Sequence, residues 1–467
     1  MPDAPKLPEP NLIERHEGSE RGVVFAFLAW SGGFQVALAL ASWSLWFPVL
    51  QSAVSEDNSP APFPSVPWLA LASGWTWLEW VLAPVWLGAS LVQTITAGAL
   101  AMAVTRNERQ KAPTIRRIEI WLIGSLVLGI LTWVALVGWN QHRLQAWAYL
   151  ATWIHLLFLL GLGKNRENSE AWFAIRQRWS WLIVSVYFYS AVSKFDHLFF
   201  VTLGSQFLTT LWNSSTGANL PLETVWPWWM TLAFPLGELM VAIGLANGRT
   251  RRPVVFLAMI LHGLLLLILG PWGMQHHPGV LLWNLFFIGQ LWLLFWPVRP
   301  PDANRVPFEN WPAQFGLYLV VLLPLAQPWG WCDSWPAWEL YAPRGSRIQV
   351  FLAAPAIEQL PELAPYVSQD PSPEFGPLWR ELRLDQWSLD QRGVPIYPQD
   401  RFQLGVAIAV RQRVVDSEQV LIRWLGPANR WTGARDQELL TSSQDIEDFG
   451  RRFFWNVQPT GSSSKIE

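Results

Sequence analysis

Residues 22–331 are divided into nine apolar stretches by polar connections, and this repetition restricts the chain more than any other feature. The stretches are 22–50, 68–104, 119–139, 144–162, 179–196, 225–247, 253–270, 279–297 and 313–331. About 20 apolar residues in a helix cross the hydrocarbon of a bilayer, and most of these stretches are of that length. In hydrocarbon the backbone must satisfy its own polar groups, so the expected fold is an all-α polytopic bundle. The stretch 68–104 exceeds one crossing, and its Trp-rich start reads as an interfacial lead-in. Ala39-Leu40-Ala41 resembles a cleavage site. The span around it is longer than a signal peptide and less basic at its start, so it reads as a helix.

Composition agrees. Of 467 residues, 51% are hydrophobic and 15% charged, where a soluble chain carries about a quarter charged residues. The 34 tryptophans suit the aromatic belts of helices that meet headgroups. A net charge of −2 offers nucleic acid no electrostatic footprint. The single cysteine, Cys332, excludes an intrachain disulfide, a CxxC pair and a thiolate metal cage, and reads as an inert thiol.

The polar connections alternate in charge. Those at 105–118, 163–178, 248–252 and 298–305 are basic, whereas 51–67, 140–143 and 271–279 are nearly free of Lys and Arg. The positive-inside rule then puts residues 1–21 in the cytoplasm and everything from 332 outside. Residues 332–467 change character and read as an exoplasmic α+β domain. Arg347–Leu352, Leu378–Leu389, Phe402–Arg411 and Val420–Leu425 read as strands, and Thr441–Trp455 as a closing helix capped by Thr441. The final GSSSKIE reads as a disordered end.

Ionisable groups at membrane depth are costly, so each is a candidate site. Lys194 and Asp196 lie at the outer end of the fifth stretch, and Asn140 and His142 in the outer turn between the third and fourth. His262 is midway along the seventh, Asn284 one turn into the eighth, Glu238 near the middle of the sixth and His155 deep in the fourth. Simpler roles exist for each. Lys194 can snorkel to headgroups, and His262 can tie two helices together. Glu238 is either protonated or paired with Lys194 or His262. His276 and His277 read as loop residues. The chain has no HExxH and no Gly-rich phosphate loop, so hydrolytic zinc and nucleotide chemistry have no sequence support. The Asn213-Ser214-Ser215 sequon lies in an outer loop.

Tyr187-Phe188-Tyr189-Ser190-Ala191-Val192-Ser193-Lys194-Phe195-Asp196 resembles the YF-x-x-G-x-K-K-L-D segment of the vitamin K-dependent γ-carboxylase family and its bacterial relatives, which share the horizontally transferred transmembrane (HTTM) domain. Trp139-Asn140-Gln141-His142, with Leu144 and Tyr149, is similar to that family's WNNH-x-YL segment, and His262 stands where the family has another helix histidine. Ser193 and Ala191 replace the first lysine and the glycine of the pattern. The resemblance covers roughly residues 20–330. It implies a lipid quinone as cofactor and Lys194 as the base that deprotonates its reduced form, with His142 and His262 in support. In that family oxygen then turns the quinol into a strong base that drives carboxylation. No segment of this chain matches a propeptide- or glutamate-binding region.

DoxX- and MauE-type redox-associated membrane proteins have a similar Y-x-x-x-x-x-K pattern, and the run Glu238 to Gly244 also resembles them. That resemblance implies a non-catalytic protein that docks a redox or secreted partner through residues 332–467. Lys194 and Asp196 are then an anchor or an ion pair. A transporter is third, without visible inverted repeats. An enzyme needs Lys194, His142 and His262 to converge on one dry pocket.

Overall fold

The computed structural model describes residues 10–47, 62–69, 77–106, 112–163, 169–296 and 310–460. Glu56, Asp57, Arg109, Lys111, Lys164, Arg166, Arg299, Arg305 and the segment 461–467 lie outside these residues, so several of the expected loops and the expected disordered end do as well.

Helices dominate. The first is α1 (Pro10–Ala41), continued by the short α2 (Trp43–Trp46); then come α3 (Trp77–Thr105) and α4 (Ala112–Trp139). After a 3-10 turn, Gln141–Arg143, follow α5 (Ala146–Gly161) and α6 (Ser169–Ser193). Next are the paired short helices α7 (His197–Val201) and α8 (Leu203–Thr216), in the connection between the fifth and sixth stretches. Then come α9 (Trp228–Thr231), α10 (Ala233–Ala246), α11 (Arg251–Leu269), α12 (Pro278–Phe295) and α13 (Trp311–Leu322). Among the described residues, six helical segments are long and apolar enough to cross a membrane: Glu20–Ala41, Trp77–Thr105, Pro113–Trp139, Trp228–Ala246, Arg251–Leu269 and Pro278–Phe295.

The other three apolar stretches are helical but differ physically from these six. Helix α5 has 16 residues. Helix α13 has 12 and tightens at Pro324 into a 3-10 segment, Leu323–Trp329. Helix α6 is long but charged, and it packs against α1, α5, α10, α12 and α13. Its Arg176 is buried and forks onto Glu20 of α1, with Nε–Oε2 2.7 Å and Nη2–Oε1 2.9 Å. It also donates to the Leu294 carbonyl at 2.8 Å. A charge inside a bundle persists only with such a partner, because desolvating it alone costs several kcal/mol (on the order of 3–5 when a partner is removed).

The carboxyl-terminal domain is built on a four-stranded antiparallel sheet in the order β2-β1-β3-β4. Its strands are β1 (Arg347–Ala353), β2 (Trp379–Leu382), β3 (Val420–Leu425) and β4 (Gln437–Leu440). Pairing Val350 with both Leu382 and Ile422, and Ile422 with Leu440, aligns one apolar face across all four strands. Helix α14 (Ala354–Gln359) follows β1, α15 (Leu384–Arg392) follows β2, α16 (Asp400–Arg411) packs on β1, and α17 (Ser443–Gly450) follows β4.

Two of the expected strands are corrected here. Phe402–Arg411 is helix α16, although Phe402, Leu404, Val406, Ile408 and Val410 alternate as in a strand. The helix is buried almost all round, and even Arg401, Gln403 and Arg411 are inside, so apolar periodicity carries no information about it. Leu378–Leu389 forms a strand only over Trp379–Leu382. It then turns into α15, which ends at Gly393 in the left-handed conformation (φ 67°) that favours glycine. The closing helix is Ser443–Gly450, shorter than expected, and is capped by Ser442 and Asp445 in a reciprocal capping box rather than by Thr441. Strand β4 was not anticipated.

The domain is bolted to one end of the bundle. Arg401 forks onto Asp333, with Nη1–Oδ1 at 2.8 Å, and its Nε donates to Gln141 Oε1 at 2.8 Å. Tyr397 donates its hydroxyl to the same Asp333. Gln141 in turn donates to the carbonyls of Pro67 and Asn456. Arg392 reaches the carbonyls of Ser44 and Phe63. The seam is also close-packed: a Cβ on Gly405 would lie 2.6 Å from the Val457 carbonyl oxygen and 2.7 Å from the Val66 side chain.

Candidate functional site

The residues Tyr187, Ser190 and Lys194 are spaced three and four apart on α6 and its C-terminal edge, so they share one face of that helix. Lys194 bends back along this face. Its Nζ donates to the Ser190 carbonyl at 3.1 Å and to the Ser190 hydroxyl at 2.6 Å. The same ammonium spans both oxygens of Glu238 on α10, at 2.8 and 3.1 Å. Lys194 is 4% exposed and the Glu238 side chain 13%, so the pair is largely out of water. Lys194 therefore points into the bundle and does not snorkel.

A second chain of hydrogen bonds begins at Tyr187. Its hydroxyl is 2.5 Å from His262 Nε2 on α11, and His262 Nδ1 is 2.9 Å from Asn284 Oδ1 on α12. The Asn284 amide nitrogen donates to the Val280 carbonyl at 2.9 Å. Tyr187, His262 and Asn284 are all buried. Phe287 closes the site, edge-on to Tyr187 and tilted over His262. Tyr187 and Ser190 lie about one turn apart on the same face of α6, so both chains of hydrogen bonds start from that face. Four helices, α6, α10, α11 and α12, thus converge on two polar chains.

The structure therefore brings together Lys194, Glu238, His262 and Asn284. His142 is elsewhere. Its Nε2 lies 2.9 Å from the Pro395 carbonyl, and its ring sits between Phe63 and Phe402 with centroids at 5.7 and 5.1 Å. A carbonyl only accepts, so Nε2 carries the proton and the buried Nδ1 has no partner. Burial lowers the His142 pKa to about 3, helped by Arg392 and Arg143 and opposed by the Pro395 hydrogen bond. No hydrogen bond, ion pair or ring contact joins His142 to Lys194, Glu238 or His262 among the described residues. The three residues expected to converge have separate partners: Lys194 pairs with Glu238, His262 bonds Tyr187 and Asn284, and His142 belongs to the domain seam.

Asn140 belongs there too, since it caps the 3-10 turn by accepting from the His142 N–H at 3.1 Å and donates to Ser65. Asp196 caps α7 by accepting from the Phe199 N–H at 3.1 Å, while its second oxygen is buried without a partner. His155 is paired with Gln93 inside the bundle at 2.8 Å, away from these chains. No group of three or more His, Cys, Asp or Glu among the described residues is arranged to hold a metal ion.

Tyr187 and Ser190 were not singled out from the sequence, although their spacing from Lys194 was the available signal. Another buried pair was unannounced: Arg143 to Glu79 at 2.6 Å, which pins the turn after α4 to the start of α3. No family model, curated protein or solved structure matches this chain. The likeness to the carboxylase superfamily and to DoxX and MauE proteins thus stands on the quoted segments alone.

Proposed function

We propose that the chain crosses the membrane nine times, with its amino terminus cytoplasmic and residues 332–467 exoplasmic. Two observations support this. The described arginines at the ends of the bundle away from the domain, Arg106, Arg116, Arg117, Arg249, Arg251 and Arg252, follow the positive-inside pattern. At the domain end, Trp212, Trp228, Trp229, Trp272, Trp329 and Trp331 are exposed, as an interfacial belt requires.

Within this bundle the site acts on a lipid-soluble quinol, with Lys194 as the base. The observation that carries this reading is the buried contact of Lys194 with both carboxylate oxygens of Glu238, beside a histidine and a tyrosine. Passing the ammonium proton across the 2.8 Å bond to Glu238 leaves a neutral amine and a neutral acid, an uncharged pair that a dry site tolerates. The amine then takes a hydroxyl proton from the quinol, as a general base within hydrogen-bond reach does. Dioxygen is the electron acceptor: two electrons and two protons leave the quinol for oxygen, giving quinone and hydrogen peroxide. The test is to extract bound lipid from the purified protein, seek a quinone, and follow aerobic oxidation of its reduced form. Co-purified quinone and oxidation lost in Lys194→Ala support the reading, and equal rates in both proteins sink it.

The second reading is a non-catalytic membrane partner of the DoxX or MauE kind. One observation favours it: an ion pair between α6 and α10 is also a good interhelical tie. In that case residues 332–467 dock a protein, and no quinol is oxidised.

A further inference from the structure

We infer that the site has a second proton acceptor, His262 acting through the Tyr187 hydroxyl, and that Asn284 is the positioning residue that makes it one. This rests on the quinol reading and deepens it, because a quinol has two hydroxyl protons and Lys194 accounts for one.

Asn284 fixes the direction of the chain of hydrogen bonds. Its amide nitrogen is bonded to the Val280 carbonyl, and the reverse orientation would set two acceptors against each other. Oδ1 therefore faces His262 Nδ1 at 2.9 Å, and an amide oxygen only accepts, so Nδ1 carries the imidazole proton. The lone pair is then on Nε2, 2.5 Å from the Tyr187 hydroxyl, which donates to it. A neutral histidine so held is a base aimed at one hydroxyl. Tyr187 is on the same face of α6 as Lys194, and Lys194 folds back one turn towards it to reach Ser190. When the tyrosine hydroxyl passes its proton to Nε2 it takes a replacement from the quinol, so the net step moves one proton from quinol to His262. Lys194 with Glu238 takes the other. The helical tie reading requires neither a fixed tautomer nor a tyrosine hydroxyl.

The experiment has two arms on the full chain in lipid nanodiscs. In the first, nitrogen-15 histidine spectra are recorded, with His262→Gln identifying the His262 signals. The expected result is a protonated Nδ1 and a bare Nε2 in the wild type, and loss of that preference in Asn284→Leu. A wild type with protonated Nε2, or an unmoved tautomer in Asn284→Leu, overturns the inference. In the second, aerobic oxidation of a reduced isoprenoid benzoquinone is followed in Tyr187→Phe, whose ring keeps its edge-on contact with Phe287. The expected kcat falls about 100-fold while KM stays within about twofold, as for loss of a proton-transfer group. An unchanged kcat overturns the inference. A wild type that oxidises no quinol overturns the reading of the function instead, and the spectra still decide the histidine.

Discussion

Lys194 and Glu238 meet across two helices with both carboxylate oxygens within 3.1 Å of the ammonium, although they stand 44 positions apart in the chain. Neither group has another charged partner among its described ion pairs. Each therefore depends on the other for its place inside the bundle.

Removing one member of this pair strands a buried charge. Lys194→Met and Glu238→Met are each expected to lose about 3–5 kcal/mol of stability, and the double variant to recover most of it. Thermal melts in detergent check this. Additive losses in the double variant would mean that the two groups do not interact.

The domain seam depends on one arginine. Arg401→Met leaves Asp333 with only Tyr397, removing both prongs of the fork and the Gln141 contact. A loss on the order of 3 kcal/mol is expected for such a partly buried charge. Hydrogen exchange should quicken at Asn456, whose amide donates to Trp68 across the seam, and at Gln141, whose amide donates to Val66 beside it. Unchanged protection there would show that the seam holds without the fork.

Acid should also open this seam. Burial holds the His142 pKa at about 3, below its unfolded value of 6.5, so the unfolded chain binds more protons between those limits. Stability from this group is complete above pH 6.5 and falls by about 1.4 kcal/mol per pH unit below it, down to the folded value. Burial also lowers the pKa of His276 and His277, so the acid slope has other contributors. In His142→Gln, which keeps a donor for the Pro395 carbonyl, the slope of melting temperature against pH should be shallower. An identical slope would remove His142 from the account.

Topology can be read by thiol labelling against a quiet background. Cys332 is buried, and burial with Asp333 and Glu339 nearby pushes its thiol up to about 12, so little thiolate is present at neutral pH. An impermeant maleimide on intact cells should label Trp431→Cys and spare Arg249→Cys, both at exposed positions. The reverse pattern would invert the protein in the membrane.

Much was legible in the chain itself. Apolar length marked the long helices of the bundle, because hydrocarbon forces the backbone to pair within its own segment. Depth along those stretches was enough to single out Lys194, Glu238, His262 and Asn284, since a costly polar residue signals itself. Strands β1 and β3 announced themselves by β-branched alternation on a sheet with one buried face.

Only the tertiary structure decided who meets whom. His142 and His262 were both candidates for one site, yet packing of the domain on the bundle turns His142 to Pro395, and packing within the bundle turns His262 to Tyr187. Helix α16 defeated the alternation rule for the same reason: a segment buried on all sides has no solvent face to impose a period. Composition and spacing act locally and set which segments are helices. The pairings that make a site are between residues tens to hundreds of positions apart, and only the packed fold brings them within 3 Å of each other.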